Sequence, residues 1–157
     1  MSSTRFVRNL GVVVAVLAVE FFASGAATAD ESPSKGQTVV VAVGAFRNTE
    51  GAFSCRLFSA AAGFPEGTAG TIERRHPIRG SSGTCVFENV PPGLHAVAVL
   101  HDENGNRKLD KNFIGVPTEG YGASNNHTHA MSAPTWEESK FVVEPGKNVG
   151  ISIALRY

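Results

Sequence analysis

Apolar and polar positions alternate over most of the chain beyond residue 37, and they do so in short runs. Residues 38–46 (TVVVAVGAF), 52–60 (AFSCRLFSA), 83–90 (GTCVFENV), 94–102 (LHAVAVLHD), 140–144 (KFVVE) and 149–157 (VGISIALRY) are β-branched, aromatic or alternating, and Gly, Pro, Asn or Asp bounds each of them. A period of two sends one set of side chains to a core and the other to solvent, so each run predicts a strand. A weaker strand is predicted around Ile72 in GTIERR, and no segment offers a helical stripe of any length. Six or seven short strands in about 120 residues predict an all-β fold, an antiparallel β-sandwich of about seven strands.

The breaks between the runs carry their own information. In FENVPPGLHAVAV a strand ends at Val90, Pro91-Pro92-Gly93 interrupts it, and a second alternating strand departs. Proline presets the turn torsion and glycine takes the left-handed position, so the pair reads as a hairpin. This run resembles the hairpin of prealbumin-like and collagen-adhesin B-type modules, which makes the expected sandwich immunoglobulin-like or prealbumin-like. EPGKNVGI, near the C-terminus, reads as a second such turn.

The first 29 residues change the picture of where the domain works. Arg5 and Arg8 precede an apolar stretch at residues 10–19, and Ala27-Thr28-Ala29 is a small-x-small cleavage site, the pattern of a signal peptide. Ten apolar residues ending at Glu20 fall short of the roughly 20 that span a bilayer. Cleavage after Ala29 removes 29 of 157 residues and leaves 128, one domain's worth of chain. Residues 30–37 are expected to be a flexible N-terminal segment and residues 38–157 the sandwich. The expected location is periplasmic or secreted, with no membrane insertion after cleavage.

Charge and cysteines narrow the partners and the compartment. Losing Arg5, Arg8 and Glu20 takes the 14 basic and 14 acidic side chains to 12 and 13, so no basic face and no nucleic-acid partner is implied. Cys55 and Cys85 are the two cysteines. In an oxidising compartment they predict a disulfide, against the alternative of two buried thiols; closing a loop of about thirty residues contributes roughly 3 to 4 kcal/mol. Alternation places Cys55, Leu57 and Ser59 on one strand face and Cys85, Phe87 and Asn89 on another, so the bridge would tie core-facing positions across or between sheets.

HDENGNRKLD, residues 101–110, is the candidate metal site. Asp102, Asn104, Asn106, the Lys108 carbonyl and Asp110 take alternate positions, as oxygens do around a calcium ion. Arg107 stands where a tight calcium loop has glycine, and Phe113 stands where a bidentate carboxylate would close the shell; Glu119 could return from the next loop. The competing reading is a chain of Asx turns, each side-chain oxygen accepting a backbone amide two residues on. Calcium is the expected cofactor under the first reading, and none is needed under the second.

A resemblance becomes specific here. His101, Asp102, Asn104, Asn106, Leu109 and Asp110, then Asn112, Phe113, Gly115, Pro117, Glu119-Gly120-Tyr121-Gly122, Ser124, Asn125 and Asn126, form a long idiosyncratic run. It resembles the secreted bacterial family catalogued as the domain of unknown function "twenty-one forty-one", over residues 38–157. Members usually carry glycine at the position of Arg107. The resemblance implies a sandwich domain exported to the periplasm or surface, and it lends no established activity and no catalytic residue.

Residues 119–136 (EGYGASNNHTHAMSAPTW) form a long irregular loop, and such loops in compact domains are usually functional or mobile. Tyr121 and Trp136, with Asn125 and Asn126, are candidate ligand-binding residues for a glycan or peptide; alternatively Tyr121, Phe113 and Trp136 cap the open end of the sandwich. His127 and His129, with Met131 nearby, form a weak copper or zinc motif. No G-x-S-x-G, H-E-x-x-H or P-loop motif occurs, His101 and Asp102 fall on opposite strand faces, and a metallohydrolase of His101, His127 and His129 would have only Glu119 as a base, so a non-catalytic protein is expected. Its expected role is a structural or interaction module of the cell envelope, whose partner is an envelope protein or glycan; a ligand-binding module and a copper or zinc protein are the alternatives.

Overall fold

The computed structural model describes residues 36–127, 129 and 132–157. The signal-peptide reading of residues 1–29 lies outside the described residues, as does all but the end of the 30–37 segment. Gln37 already belongs to a strand.

Two sheets are packed face to face. Strands β1 (Gln37–Gly44), β4 (Ser82–Val90) and β8 (Val149–Ala154) form a sheet in the order β4-β1-β8. The larger sheet runs β3-β2-β5-β6, from β2 (Ala52–Phe58), β3 (Ile72–Pro77), β5 (Gly93–Asp102) and β6 (Gly120–Ala123), and β7 (Phe141–Val143) pairs with the start of β5. The fold is the expected all-β sandwich with one departure: β1 and β8 are parallel, Val39 opposite Val149, while the other pairs are antiparallel.

Alternation builds the core. Val39, Val41 and Val43 of β1 point inward with Phe87 and Ile153, and they meet Leu57, Val97 and Val99 from the larger sheet. Each such side chain contributes roughly 1.5 to 3 kcal/mol by leaving water. The Cys55–Cys85 disulfide joins β2 to β4, and therefore one sheet to the other.

Three expectations about connections and faces change. Pro91 and Pro92 do not make a hairpin: β4 lies in the smaller sheet and β5 in the larger, so the turn carries the chain across the sandwich. The turn after β7 does the same, with Glu144 accepting the Lys147 amide at 3.2 Å and Gly146 at φ 74° before β8. Proline lacks the amide that a ladder requires, which suits it to leaving a sheet. Asn89 is not on the core face with Cys85 and Phe87. It adopts φ 57° at a bulge where the β1–β4 register shifts, so Val90 turns inward instead. Ser59 lies beyond the end of β2, exposed, with its hydroxyl 3.2 Å from His95 Nδ1.

Strand β6, a short 3-10 turn at Ser124–Asn126 and the start of a helix lie where an irregular loop was expected. Strand β6 escapes the alternation rule because two of its four residues are glycine. A Cβ on Gly120 would stand 2.5 Å from the Tyr157 ring, and one on Gly122 would stand 2.7 Å from Ile153. Helix α1 (Trp136–Ser139) is a single turn whose Glu138 carboxylate reaches back to the Thr135 amide at 3.4 Å and its hydroxyl at 2.6 Å. The Thr-x-x-Glu spacing of a capping box signals that start in the sequence.

Replacing both cysteines by alanine is expected to lower the unfolding free energy by about 3 to 4 kcal/mol, the loop-closure contribution of a 30-residue separation. Denaturant titration of the double variant and of the oxidised wild type measures it; coincident curves would mean the bridge adds nothing.

Candidate functional site

The chain leaves β5 at Asp102 and returns at Gly120, and the arm between is held by two buried carboxylates. Asp102 is fully buried: Oδ1 accepts the Gly105 amide at 2.8 Å, Oδ2 accepts the Arg107 amide at 2.9 Å, and Arg75 Nη2 lies 2.6 Å from Oδ2. Burial pushes this carboxyl up, but the Arg75 bond and charge, with the Arg107 and Gly105 amides, outweigh it and hold it below its ordinary value. Glu119, also buried, accepts the Glu103 amide at 2.9 Å and the Asp110 amide at 3.1 Å, so one side chain staples the start, middle and end of the arm.

Between these anchors the hydrogen bonds are those of Asx turns. Asn104 Oδ1 accepts the Asn106 amide at 3.0 Å, and Asn106 Oδ1 accepts the Lys108 amide at 2.8 Å. The side-chain amides of both asparagines then donate to the Asp110 carboxylate, at 2.5 and 2.9 Å. Arg107 sits at φ 64°, a conformation that disfavours its side chain by roughly 1 to 2 kcal/mol and that its bond to Asp102 offsets. A cation in this loop would require Asn104 and Asn106 to exchange donors for acceptors, and it would share Asp102 with the Arg75 guanidinium. Glu103 does not turn toward the loop. Arg47 binds it through Nε and Nη2 at 2.7 and 2.9 Å and stacks on Tyr157, and that bond and charge lower the Glu103 carboxyl.

Beyond Asp110 the arm is a small hairpin. Lys111 bridges to Pro117, and Asn112 Oδ1 accepts the amides of Ile114 and Val116. Its tip presents Phe113, 99% exposed, and Ile114, 66% exposed, so Phe113 caps nothing. The arm roofs a groove of about 420 Å³ on the outward face of the larger sheet. Ser54, Ala98, Leu100 and Tyr121 form its floor; Leu109, Ile114, Val116 and Pro117 form the roof; Pro65, Ala133 and Pro134 close a side. The groove is mainly aliphatic, of a size that takes a small organic molecule.

A family profile described as "Uncharacterized protein conserved in bacteria (DUF2141)" matches residues 41–151. The chain belongs to this family. No curated protein and no solved structure matches the chain. The DUF2141 match runs from β1 into β8 and so takes in the arm and the whole groove.

The other candidate residues of this DUF2141 domain divide between groove and scaffold. Tyr121 lines the groove. Trp136 does not; it meets the Phe64 ring edge-on at 6.1 Å, and Phe64 in turn meets Phe58 edge-on at 5.0 Å. Asn125 donates to the Glu138 and Lys140 carbonyls, and Asn126 bonds the Ser152 carbonyl and the Ala154 amide along β8. Both side-chain amides therefore act as structural ties. His129 pairs with Glu138 at 2.9 Å, and the Thr135 hydroxyl and His129 bring the Glu138 carboxyl down to about 2. His127 is exposed, and Met131 lies outside the described residues. His101 is buried on the core face between the Tyr157 hydroxyl at 2.7 Å and the Glu50 carbonyl at 3.0 Å, which places its proton on Nε2. No group of three or more His, Cys, Asp or Glu side chains arranged to hold a metal occurs among the described residues. Ser54, Arg75 and Leu100 escaped the sequence reading as site residues because nothing local marks them; only the pairing of β2, β3 and β5 brings them to the arm.

Asp102→Asn keeps one acceptor and loses the charge opposite Arg75. Allowing for the partial exposure of Arg75, it is expected to cost about 2 to 4 kcal/mol at pH 7 in urea unfolding. A carboxyl whose folded pKa is depressed adds stability that is present above its unfolded value and lost as pH falls through the folded one. The gap between wild type and variant should thus be constant above about pH 5 and close below about pH 4. Thermal melts with excess calcium and with chelator are expected to superimpose; a calcium-raised midpoint abolished by Asp102→Ala would make the arm a cation loop.

Proposed function

We propose that this domain is an exported, non-catalytic binding module whose groove holds a small, largely apolar ligand. The observation that carries the reading is the groove itself, an aliphatic slot roofed by an arm that two buried carboxylates fix in place. A fixed roof lets a ligand bind without first ordering a loop, which lowers the entropic cost of association. Export is supported by the basic, apolar and small-residue pattern of residues 1–29 and by the disulfide, a bond that persists in oxidising compartments. The FENVPPGLHAVAV run and the parallel β1–β8 pair are the features on which a prealbumin-like assignment of the sandwich rests.

A non-catalytic role is supported by the protonation chemistry at hand. Ser54 is the buried hydroxyl residue of the groove, and no histidine among the described residues hydrogen-bonds to it. The two buried histidines face the core and are committed elsewhere, His101 as described and His95 to the Pro91 carbonyl at 2.9 Å. A nucleophile without a base in reach lacks the first requirement of acyl transfer. Among ligands, the aliphatic walls favour an apolar body over the stacked sugar that a pair of exposed aromatics would receive.

Titration with the uncharged dye N-phenyl-1-naphthylamine tests the reading. Saturable fluorescence gain at one site is expected in the wild type. Ala98→Phe, which fills the floor, should lower the dye affinity at least about tenfold, and Ile114→Gln on the exposed roof should lower it by less. Equal dye binding by wild type and Ala98→Phe, with both folded by circular dichroism, would remove the groove as the site.

A further inference from the structure

The groove is more positive than the chain that builds it. Arg56, Arg107, Lys108 and Lys111 line it against Glu66 alone, in a protein whose formal net charge is zero. Two of these cations are already engaged. Lys111 Nζ lies 2.8 Å from Glu66 Oε1, while Arg56 donates to the Glu66 and Gly67 carbonyls and faces Glu73 at 3.6 Å. The side chains of Arg107 and Lys108 meet no acid and no hydrogen-bond acceptor among the described residues.

The floor adds two hydroxyls that open into the groove. Ser54 is only 6% exposed and lines the groove, yet its hydroxyl bonds nothing among the described residues. The residue is buried while its oxygen stays open to the groove, which leaves the hydroxyl available to a bound molecule as donor or acceptor. The Tyr121 hydroxyl, at the same floor, is likewise unpaired among the described residues.

We infer that the ligand is a small amphiphile: an apolar chain or ring system carrying one acidic group, a carboxylate, sulfate or phosphate. This rests on the binding-module reading above and adds the ligand's chemistry to it. The apolar body lies against Leu100, Leu109, Ile114 and Val116, the Ser54 and Tyr121 hydroxyls serve its acceptor atoms, and the acidic group meets Arg107 and Lys108. A neutral glycan would leave the two cations and the aliphatic walls unanswered. A flat membrane surface would reach the exposed Phe113 tip but not the Ser54 hydroxyl under the roof. The ligand is therefore a monomer taken from solution.

Displacement of bound N-phenyl-1-naphthylamine decides it. Sodium decanoate, decan-1-ol and decyltrimethylammonium bromide, each below its micellar concentration, share an apolar chain and differ in charge; phosphatidylglycerol vesicles supply the same anionic chemistry as a surface. Decanoate is expected to displace the dye at a concentration about five- to tenfold below decanol, with the ammonium weakest. In Arg107→Gln/Lys108→Gln that preference should vanish while the dye still binds. Equal displacement by the three amphiphiles, a preference that survives in the double variant, or displacement by vesicles and not by decanoate would each overturn the inference and leave the groove as a binding site. Failure of the wild type to bind dye, or undiminished binding by Ala98→Phe, would instead overturn the reading beneath it.

Discussion

The arm over the larger sheet, and with it the groove, depends on the Asp102 carboxylate. It ends β5, faces away from the core, and is buried against Arg75 from β3 and against two amides of the arm. A buried anion with three donors is stable; remove the donors and it is among the least tolerable groups in a protein. The arm must therefore fold over β3 and β5 in one particular way to satisfy it. Glu119 repeats the logic at the other end, so the roof of the groove is positioned by two charges rather than by a core of its own.

That arrangement separates two properties that many binding sites combine. The polar groups that shape the arm point into it and are mutually satisfied, from Asn104 and Asn106 to Asp110. The side chains that face the groove from the same segment are Leu109, Ile114 and Val116 and the unpaired cations Arg107 and Lys108. The turns of the arm bring Asn104, Asn106 and Asp110 together and leave Arg107, Lys108 and Leu109 along the groove. The groove's composition can then vary without disturbing its roof.

Much of the sandwich was legible because strands advertise themselves by period two, and the bridge because Cys55 and Cys85 are the chain's two cysteines. Pairing was less so. Pro91-Pro92-Gly93 marks a turn, but whether the next strand joins the same sheet or the opposite one is decided by packing far from the turn. Asn89 defeated the face assignment because a bulge adds one residue and inverts everything after it. Strand β6 was hidden because its glycines are there for what they lack: Tyr157 and Ile153 occupy the space of the side chains. In the arm, the spacing of oxygens was visible, yet the same spacing serves an ion or a backbone. What settles the observed bonding is Arg75, a residue 27 positions upstream that no local pattern connects to Asp102. The groove was invisible for the same reason, since its floor and roof come from segments joined only by the sheet.

The parallel pair of β1 and β8 has a consequence in time. The central strand of the smaller sheet is the first of the described strands, and one of its two neighbours begins at Val149, opposite Val39 and 110 residues later. Strand β4 can dock early, but one side of β1 stays an open hydrogen-bonding edge until the whole intervening chain is present. Contacts of such sequence separation make folding slow and leave it incomplete for any chain still being synthesised or threaded from its N-terminus. The topology thus makes the smaller sheet a clasp: its first strand is paired on both sides only once β8 is in place.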